Sequence, residues 1–363
     1  MGWSYHNPVR IAFGVGAFAD LPKTIAGRPW ALVTYPMEIF ADLGRRLAAM
    51  AGPPVAVVDD VAANPDFADL GRSCRHFGTA SPTPGVVVAL GGGSVIDAAK
   101  VLAASGGDFD RVRDHLVAGA PLDEARIVPI LAVPTTAGTG SEVTSWATVW
   151  DAAAGRKYSL AHPRLYPEAA IVDPALTLGA PRALTLATGL DALSHALESL
   201  WNRNANPVSA EFAITAARTV LDVLPRLVDR PGDIGLREAQ SRAALLAGLA
   251  FSNTKTALAH NISYDITLAQ GTPHGIACSF CLPQVMRWAI GRDGECDRRL
   301  AAIFGSDLAA GADRLQAFLE GLGVATDPGS HGMDDTAWAR LIAKASAGER
   351  GRNFIGRHDL AAD

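Results

Sequence analysis

Apolar positions change their period along the chain, and this change divides it into two halves. In the first half, β-rich runs alternate with amphipathic stretches near 37–51, 65–77 and 94–104. The runs are WALVT at 30–34, VAVVD at 55–59, VVVAL at 86–90 and IVPILAV at 127–133. This alternation is typical of βαβ units around a mostly parallel sheet. TSWATVW at 144–150 and AAIVD at 169–173 predict an added hairpin rather than another crossover.

From about residue 181, apolar residues recur at helical spacing and β-branched clusters become scarce. Helices are predicted near 182–201, 207–228, 236–251, 255–269, 275–290, 308–322 and 335–347. The pattern therefore predicts an α/β domain over residues 1–180 and an all-helical domain over residues 181–363. We expect the two domains to pack on each other across a cleft.

Composition agrees with a two-domain globular protein and excludes several other classes. The chain has 363 residues, more than one core usually holds, and it is 49% hydrophobic and 19% charged. A net charge of −5, without a stripe of Lys or Arg, argues against nucleic acid as a partner. With no signal-like start and no apolar run of about 20 residues, we expect a soluble cytoplasmic protein.

Four cysteines are too few for a disulfide scaffold in a chain of this length. Cys278 and Cys281 form a C-x-x-C pair, which is typical of redox sites and zinc sites. No second such pair exists in the sequence, and the surrounding segment has a helical pattern. Ordinary buried packing is therefore the preferred interpretation of these two thiols.

A glycine-rich turn follows the strand VVVAL. In VVVALGGGSVIDAAK, residues Gly91, Gly92, Gly93 and Ser94 lie between a strand and a helix. Glycines allow close backbone approach, and the start of a helix attracts phosphate. A second polar loop, PTTAGTGSEV at 134–143, also follows a strand. The two loops predict a dinucleotide site at the carboxyl edge of the sheet. Because the turn differs from G-x-G-x-x-G, a plain tight connection remains the alternative.

Two pairs of residues in the second half suggest a metal site. Asp191 and His195 are four residues apart on a helical pattern, so both project from one face. His260 and His274 lie in an otherwise apolar segment. Either pair alone is a weak signal, because helices often carry such pairs at the surface. Together they make a three-nitrogen, one-carboxylate set suited to Fe²⁺ or Zn²⁺.

Five segments together resemble the iron-containing, or group III, metal-dependent alcohol dehydrogenases. They are GGGSVIDAAK, PTTAGTGSEV, KYSLAHPRLYPEAAIVDP, TGLDALSHALES and the H-x13-H that ends in PHG. The resemblance implies a Rossmann-like dinucleotide-binding domain followed by an all-helical domain, an architecture like that of dehydroquinate synthase. It also implies NAD(P)H-linked reduction of a small aldehyde to an alcohol, with the metal in the cleft, and a homodimer.

The resemblance assigns roles to individual residues. Asp191, His195, His260 and His274 correspond to the metal ligands, and Gly91, Gly92, Gly93 and Ser94 to the pyrophosphate loop. Further cofactor-side positions are Asp97, Thr135, Thr136 and Ser141, of which Asp97 could equally cap a helix or be solvated. Lys157 corresponds to a lysine near the cofactor and the cleft.

Two positions depart from the family pattern. Tyr264 stands where many members carry a histidine near the nicotinamide, and a phenol is a poorer proton shuttle at neutral pH. Packing with its hydroxyl bound to the backbone is an equal alternative for Tyr264. After the first strand, Tyr35-Pro36-Met37 precedes the first carboxylate, Glu38. NADPH, alone or beside NADH, is therefore expected.

The run NTKTALAHNISYDIT resembles the branch that reduces phosphonoacetaldehyde to 2-hydroxyethylphosphonate in phosphonate antibiotic pathways. Asn253 and Lys255 are the predicted contacts to an anionic phosphonate. Lys255 could instead be solvated at a helix start, and Arg203 and Arg287 are other candidate cations. The alternatives are a general short-chain alcohol or lactaldehyde dehydrogenase, a lyase of the dehydroquinate-synthase type and a non-catalytic binding protein.

Overall fold

The computed structural model of the chain describes residues 2–356. The chain divides into two compact units. One unit consists of Pro8–Thr136 and Ser141–Gly179, and the other of Met1–Asn7, Ala137–Gly140 and Ala180–Asp363. Two short segments that precede residue 180 thus belong to the second unit. Residues 357–363, the end of the predicted helical domain, lie outside the described residues.

The first unit is built on a six-stranded sheet in which all paired neighbours are parallel. Its strands are β1 (Arg10–Phe13), β2 (Trp30–Val33), β3 (Ala56–Val58), β4 (Val86–Gly91), β5 (Ile130–Pro134) and β8 (Ala169–Val172), in the order β1-β8-β5-β4-β2-β3. The remaining two, β6 (Trp146–Asp151) and β7 (Arg156–Ala161), form an antiparallel hairpin. The predicted parallel sheet is confirmed.

The central strands are continuous apolar runs in the sequence because both faces of the sheet are buried there. Every residue of β4 and β5 is buried. Gly91 at the end of β4 is in register with Pro134 at the end of β5. The loops that follow these two strands therefore start side by side at the carboxyl edge. The helices of this unit are α1 (Leu21–Ile25), α2 (Glu38–Ala51), α3 (Phe67–Gly78), α4 (Gly93–Ser105) and α5 (Phe109–Ala118).

The predicted hairpin between 144–150 and 169–173 is wrong. The run at 146–151 pairs with β7, which begins after a short turn at 152–155. The other run becomes β8, which lies between β1 and β5 in the parallel sheet. All four residues of β8 are buried, as an interior parallel strand requires. In β7 only Leu160 is buried, which suits an exposed hairpin.

The second unit is helical over its main segment. Its helices are α6 (Arg182–Leu200), α7 (Pro207–Asp229), α8 (Ile234–Thr254), α9 (Leu258–Gln270), α10 (His274–Ser279), α11 (Leu282–Ala289), α12 (Gly294–Phe304), α13 (Leu308–Gly321) and α14 (Asp335–Ala347). One continuous apolar core joins them. The predicted all-helical character is confirmed. No helix within residues 2–356 combines the length and apolarity needed to span a bilayer.

The structure differs from the predicted helices at two places. The segment 275–290 is not one helix, because it breaks at residues 280–281 before Pro283 in the first turn of α11. Proline lacks the N–H that a continuous helix would use there. Helix α12 was not predicted, because its first turn is polar and its apolar stripe is short.

Candidate functional site

Helix α6 carries two of the predicted metal ligands. It is buried around its circumference from Gly189 to Leu200, so polar side chains on it need partners inside the protein. Asp191 and His195 are 3% and 5% exposed, and Asp191 Oδ1 lies 3.7 Å from His195 Nε2. The separation of four residues brings the two groups together on one face.

Helices α9 and α10 bring the other two histidines to the same carboxylate. Asp191 Oδ1 lies 3.5 Å from His260 Nε2 and 3.9 Å from His274 Nε2. Gly275 makes this approach possible, because a Cβ atom there would stand 1.8 Å from the carbonyl oxygen of Ala187. A residue with a side chain at 275 would push α10 away from α6, and with it His274.

The charges of this cluster favour a bound cation. Burial raises the pKa of the Asp191 carboxyl, but His195, His260 and His274 outweigh burial and bring this pKa well below its usual range. Burial lowers the pKa of His195 to about 4, against the raising effect of Asp191. His195 is therefore neutral at pH 7, the form in which imidazole binds metals.

A fifth group, Glu198, orients His260. It is fully buried on α6, and its carboxylate accepts hydrogen bonds from His260 Nδ1 at 2.6 Å and from the backbone N–H groups of Ala257, Ala259 and His260 at 2.9, 2.6 and 3.3 Å. The bond from Nδ1 fixes the imidazole so that Nε2 faces Asp191. Burial lowers the pKa of His260, but Glu198 and then Asp191 more than reverse this, so the pKa is raised.

The donor set fits a divalent metal. A tetrahedral ion with bonds of about 2.1 Å would hold ligand atoms about 3.4 Å apart, close to the three separations from Asp191 Oδ1. Within the described residues, His260 Nε2, which faces Asp191, is buried without a hydrogen-bond partner. Residues Asp191, His260, His274 and Cys278 also present ligand atoms within 4.8 Å of one another.

The Cys278 thiol is an unexpected member of this cluster. Its Sγ atom lies 3.6 Å from Asp191 Oδ1. Burial, and then the charge of Asp191, raise the pKa of the Cys278 thiol well above its usual value. Cys278 and Cys281 are both buried and free, so the predicted packing agrees with the structure, but Cys278 packs against the cluster rather than in an ordinary core.

The predicted substrate residues lie elsewhere in the helical unit. Lys255 ends α8 with φ 63°; its side chain is 61% exposed, and its Nζ is 3.9 Å from Glu349. Among the described residues, it makes no hydrogen bond or ion pair with any of the four predicted ligands. The Asn253 amide pairs with the backbone of His6 at 2.9 and 3.0 Å. Of the other candidate cations, Arg287 pairs with Asp313 at 2.7 Å.

Tyr264 lies on α9 one turn after His260. Its ring is nearly parallel to that of His274, with an angle of 4° and centroids 6.3 Å apart. Tyr264 is thus the aromatic neighbour of a predicted ligand, and its role beside the nicotinamide stays a prediction.

In the α/β unit, the glycine-rich turn opens α4. Gly92 is the N-cap, without a side-chain cap, and the first N–H groups of such a helix have no partner within the helix. Thr135 follows β5, and its N–H bonds to the carbonyl of Gly91 at 3.1 Å. Thr136 comes next in the same loop. The turn and this loop therefore meet at one edge, as the sequence predicts, and form a site suited to phosphate.

Asp97 and Ser141 bond to each other. Ser141 Oγ donates to Asp97 at 2.6 Å, and the N–H of Thr148 donates to the second carboxylate oxygen at 2.8 Å. Lys100 is fully buried and donates to Ser141 O and Oγ at 2.8 and 2.9 Å and to Trp146 O at 2.7 Å. These bonds hold the loop after β5 against α4.

Lys157 lies on β7 with Nζ 5.5 Å from the ring of Trp150. Glu38, the first acidic residue after β2, is exposed and paired with Arg45 at 2.7 Å. This carboxylate is therefore already occupied by a cation of the protein.

Two family models match the chain, one in each half. A family model described as iron-containing alcohol dehydrogenase matches residues 8–174, and the C-terminal model of the Fe-containing alcohol dehydrogenase family matches residues 185–354. The chain is 38% identical to a phosphonoacetaldehyde reductase of Streptomyces viridochromogenes, over 82% of this chain and 76% of that protein. It is 37% identical to an NAD-dependent methanol dehydrogenase of Bacillus methanolicus, over 64% of this chain and 62% of that one.

A solved structure is similar along the whole chain. It is a sulfoacetaldehyde reductase from Bifidobacterium kashiwanohense in complex with NAD⁺. The TM-score is 0.88 at 29% identity, and the match covers 100% of this chain and 99% of the other.

Proposed function

Because the chain belongs to the iron-containing alcohol dehydrogenase family and is an oxidoreductase acting on CH–OH groups, we propose that it reduces phosphonoacetaldehyde to 2-hydroxyethylphosphonate. The reductant is NADH or NADPH, and the resident metal is Fe²⁺, which Zn²⁺ can replace at the same ligands. The observation that supports the reaction type is the convergence of the three histidines on Asp191, with Asp191, His195 and His260 buried and His274 partly exposed. The relative from S. viridochromogenes supports the substrate.

In this proposal, Asp191 and the three histidines hold the metal, and Glu198 keeps His260 in the ligand tautomer. The start of α4 binds the dinucleotide phosphates, together with Thr135 and Thr136. When bound, the metal polarises the carbonyl oxygen as a Lewis acid, and the nicotinamide supplies the hydride. Tyr264 delivers a proton to the product oxygen.

The test compares aldehydes at one cofactor concentration in metal-loaded protein. The kcat/KM for phosphonoacetaldehyde should exceed that for propanal and lactaldehyde, with NAD(P)H consumed in proportion to product. Equal efficiency on the uncharged aldehydes would overturn the phosphonate substrate and leave a general short-chain dehydrogenase. Turnover without net loss of NAD(P)H would instead indicate a lyase. Sulfoacetaldehyde should be tested as a further substrate, because the similar structure from B. kashiwanohense is that of a sulfoacetaldehyde reductase.

A further inference from the structure

Arg350 lies near the predicted metal ligands, on the segment that follows α14. It caps the short 3₁₀ helix Gly351–Asn353 and is half-buried. Its Cζ atom is 5.0 Å from the centroid of the Tyr264 ring. Since Tyr264 is the aromatic neighbour of His274, a guanidinium lies two side chains away from a predicted metal ligand.

The Arg350 guanidinium has no anionic partner at hydrogen-bonding or ion-pair distance among residues 2–356. Within residues 2–356 it makes no hydrogen bond and no ion pair, and its contact is with the face of the Tyr264 ring. Burial lowers the pKa of Arg350 to about 10, and the charge of Glu198 acts in the opposite direction. Glu198 already accepts four hydrogen bonds. A partly buried cation without a counter-charge among the described residues is costly to keep, which favours an anion beside it.

Three other basic side chains, those of Lys255, Arg287 and Arg352, already have partners among the described residues. Lys255 faces Glu349, and Arg287 bonds to Asp313. Arg352, two residues after Arg350, is exposed and donates to the carbonyl of Ala347 at 3.0 Å. Lys255 and Arg352 line a surface cavity of about 410 Å³ that none of the four predicted ligands lines. Arg350 thus differs from these cations in both its position and its lack of a partner.

The backbone that carries Arg350 is held in place. A Cβ atom on Gly351 would stand 2.0 Å from the carbonyl oxygen of Ala345, so the chain lies directly against the end of α14. Asn353 donates its amide to Thr256 O at 2.9 Å, and its own carbonyl accepts from Arg203 N at 2.8 Å. Arg203 follows the end of α6. The backbone at Arg350 is therefore tied to the residues that follow α6, the helix that carries Asp191, and the guanidinium contacts the Tyr264 ring.

We propose that the Arg350 guanidinium binds the tetrahedral oxyanion of the substrate, the phosphonate of phosphonoacetaldehyde, in place of the predicted Lys255. The inference rests on the proposed function and deepens it. A guanidinium presents a planar fork of N–H donors that matches two oxygens of a phosphonate, and partial burial strengthens such charge-assisted bonds. Aldehydes without the anion gain nothing from Arg350, so this residue determines specificity rather than chemistry.

The test measures binding of a non-reducible analogue, ethylphosphonate, to the metal-loaded, NAD⁺-bound protein by titration calorimetry. Arg350→Gln should raise the dissociation constant roughly 10–100-fold, the range expected for lost charge-assisted hydrogen bonds. Arg350→Lys keeps the charge but not the fork and should fall between wild type and Arg350→Gln. Arg352→Gln is the matched control from the same 3₁₀ helix and should bind ethylphosphonate like wild type. Ethanesulfonate in a parallel series separates a sulfonate from a phosphonate.

The outcomes separate this inference from the proposed function. Wild-type affinity in Arg350→Gln, or a loss of equal size in Lys255→Ala or Arg352→Gln, overturns the assignment to Arg350. Absence of ethylphosphonate binding in the wild type overturns it as well. If Arg350→Gln loses ethylphosphonate but the wild type reduces phosphonoacetaldehyde no better than propanal, the anion site stands and the proposed substrate fails. Thermal unfolding of each variant with metal bound checks that the fold is retained, and Arg350→Lys decides if Arg350→Gln is unfolded.

Discussion

The bond between Glu198 and His260 makes the sharpest prediction about the metal centre. Glu198→Gln keeps the size of the side chain but replaces one carboxylate oxygen with an NH₂ group. The native carboxylate accepts four hydrogen bonds, two at each oxygen. In the amide, the NH₂ group must face two donors, so at least one backbone N–H or the His260 Nδ1–H loses its acceptor. Each such bond to a charged group contributes about 1.5–3 kcal/mol.

Metal affinity should fall roughly 10–100-fold, or about 1.4–2.8 kcal/mol, because His260 loses the carboxylate that fixes its tautomer. The assay is competition with a fluorescent chelator for Zn²⁺ or Fe²⁺, accompanied by thermal unfolding with and without metal. Glu211→Gln, on the exposed face of α7, is the control and should bind metal like wild type. Unchanged metal affinity in Glu198→Gln would refute the orienting role of Glu198.

Two further predictions concern packing and buried charge. Gly275→Ala should weaken metal binding and destabilise the fold by about 1–3 kcal/mol, because the new methyl group would overlap Ala187. Gly321→Ala is the control and should be neutral, because a Cβ atom there meets open space. Wild-type metal affinity in Gly275→Ala would contradict this reasoning. Burial lowers the pKa of folded Lys100 to about 8, below its unfolded value of 10.5, so between these pH values the unfolded chain binds more protons. The free energy of unfolding of the wild type, measured with denaturant, should therefore rise with pH across this window by up to about 1.4 kcal/mol per pH unit relative to Lys100→Met. If the difference in unfolding free energy between the two proteins does not change with pH, the lowered pKa is wrong.

Local patterns were sufficient for much of the fold and for part of the candidate site. The period of apolar residues predicts the parallel sheet and the helical second half, because burial on two faces or on one stripe leaves a direct mark on the sequence. The spacing of Asp191 and His195 predicts their meeting, since four residues are one helical turn. The glycine-rich sequence after β4 likewise predicts a turn that leads directly into a helix.

Partners distant in sequence were not predictable in this way. Glu198 belongs to the quoted segment TGLDALSHALES, and its position seven residues after Asp191 on the same helix is a signal, yet its partner His260 is 62 residues away. β6 pairs with β7 rather than with β8, because β8 lies between β1 and β5 in the parallel sheet. The pattern of apolar and polar residues within one segment does not show which distant segment it will pair with.

The sequence by itself determined the types of element, the phosphate-suited turn and the residue types able to bind a metal, because each depends on neighbours within one or two helical turns. Only the tertiary structure decided that Cys278 joins the cluster, that Lys255 faces Glu349, and that the Arg350 guanidinium lies over the Tyr264 ring. These contacts depend on how α9, α10 and the segment after α14 pack against α6. The same packing sets burial, and burial decides which charges need a partner.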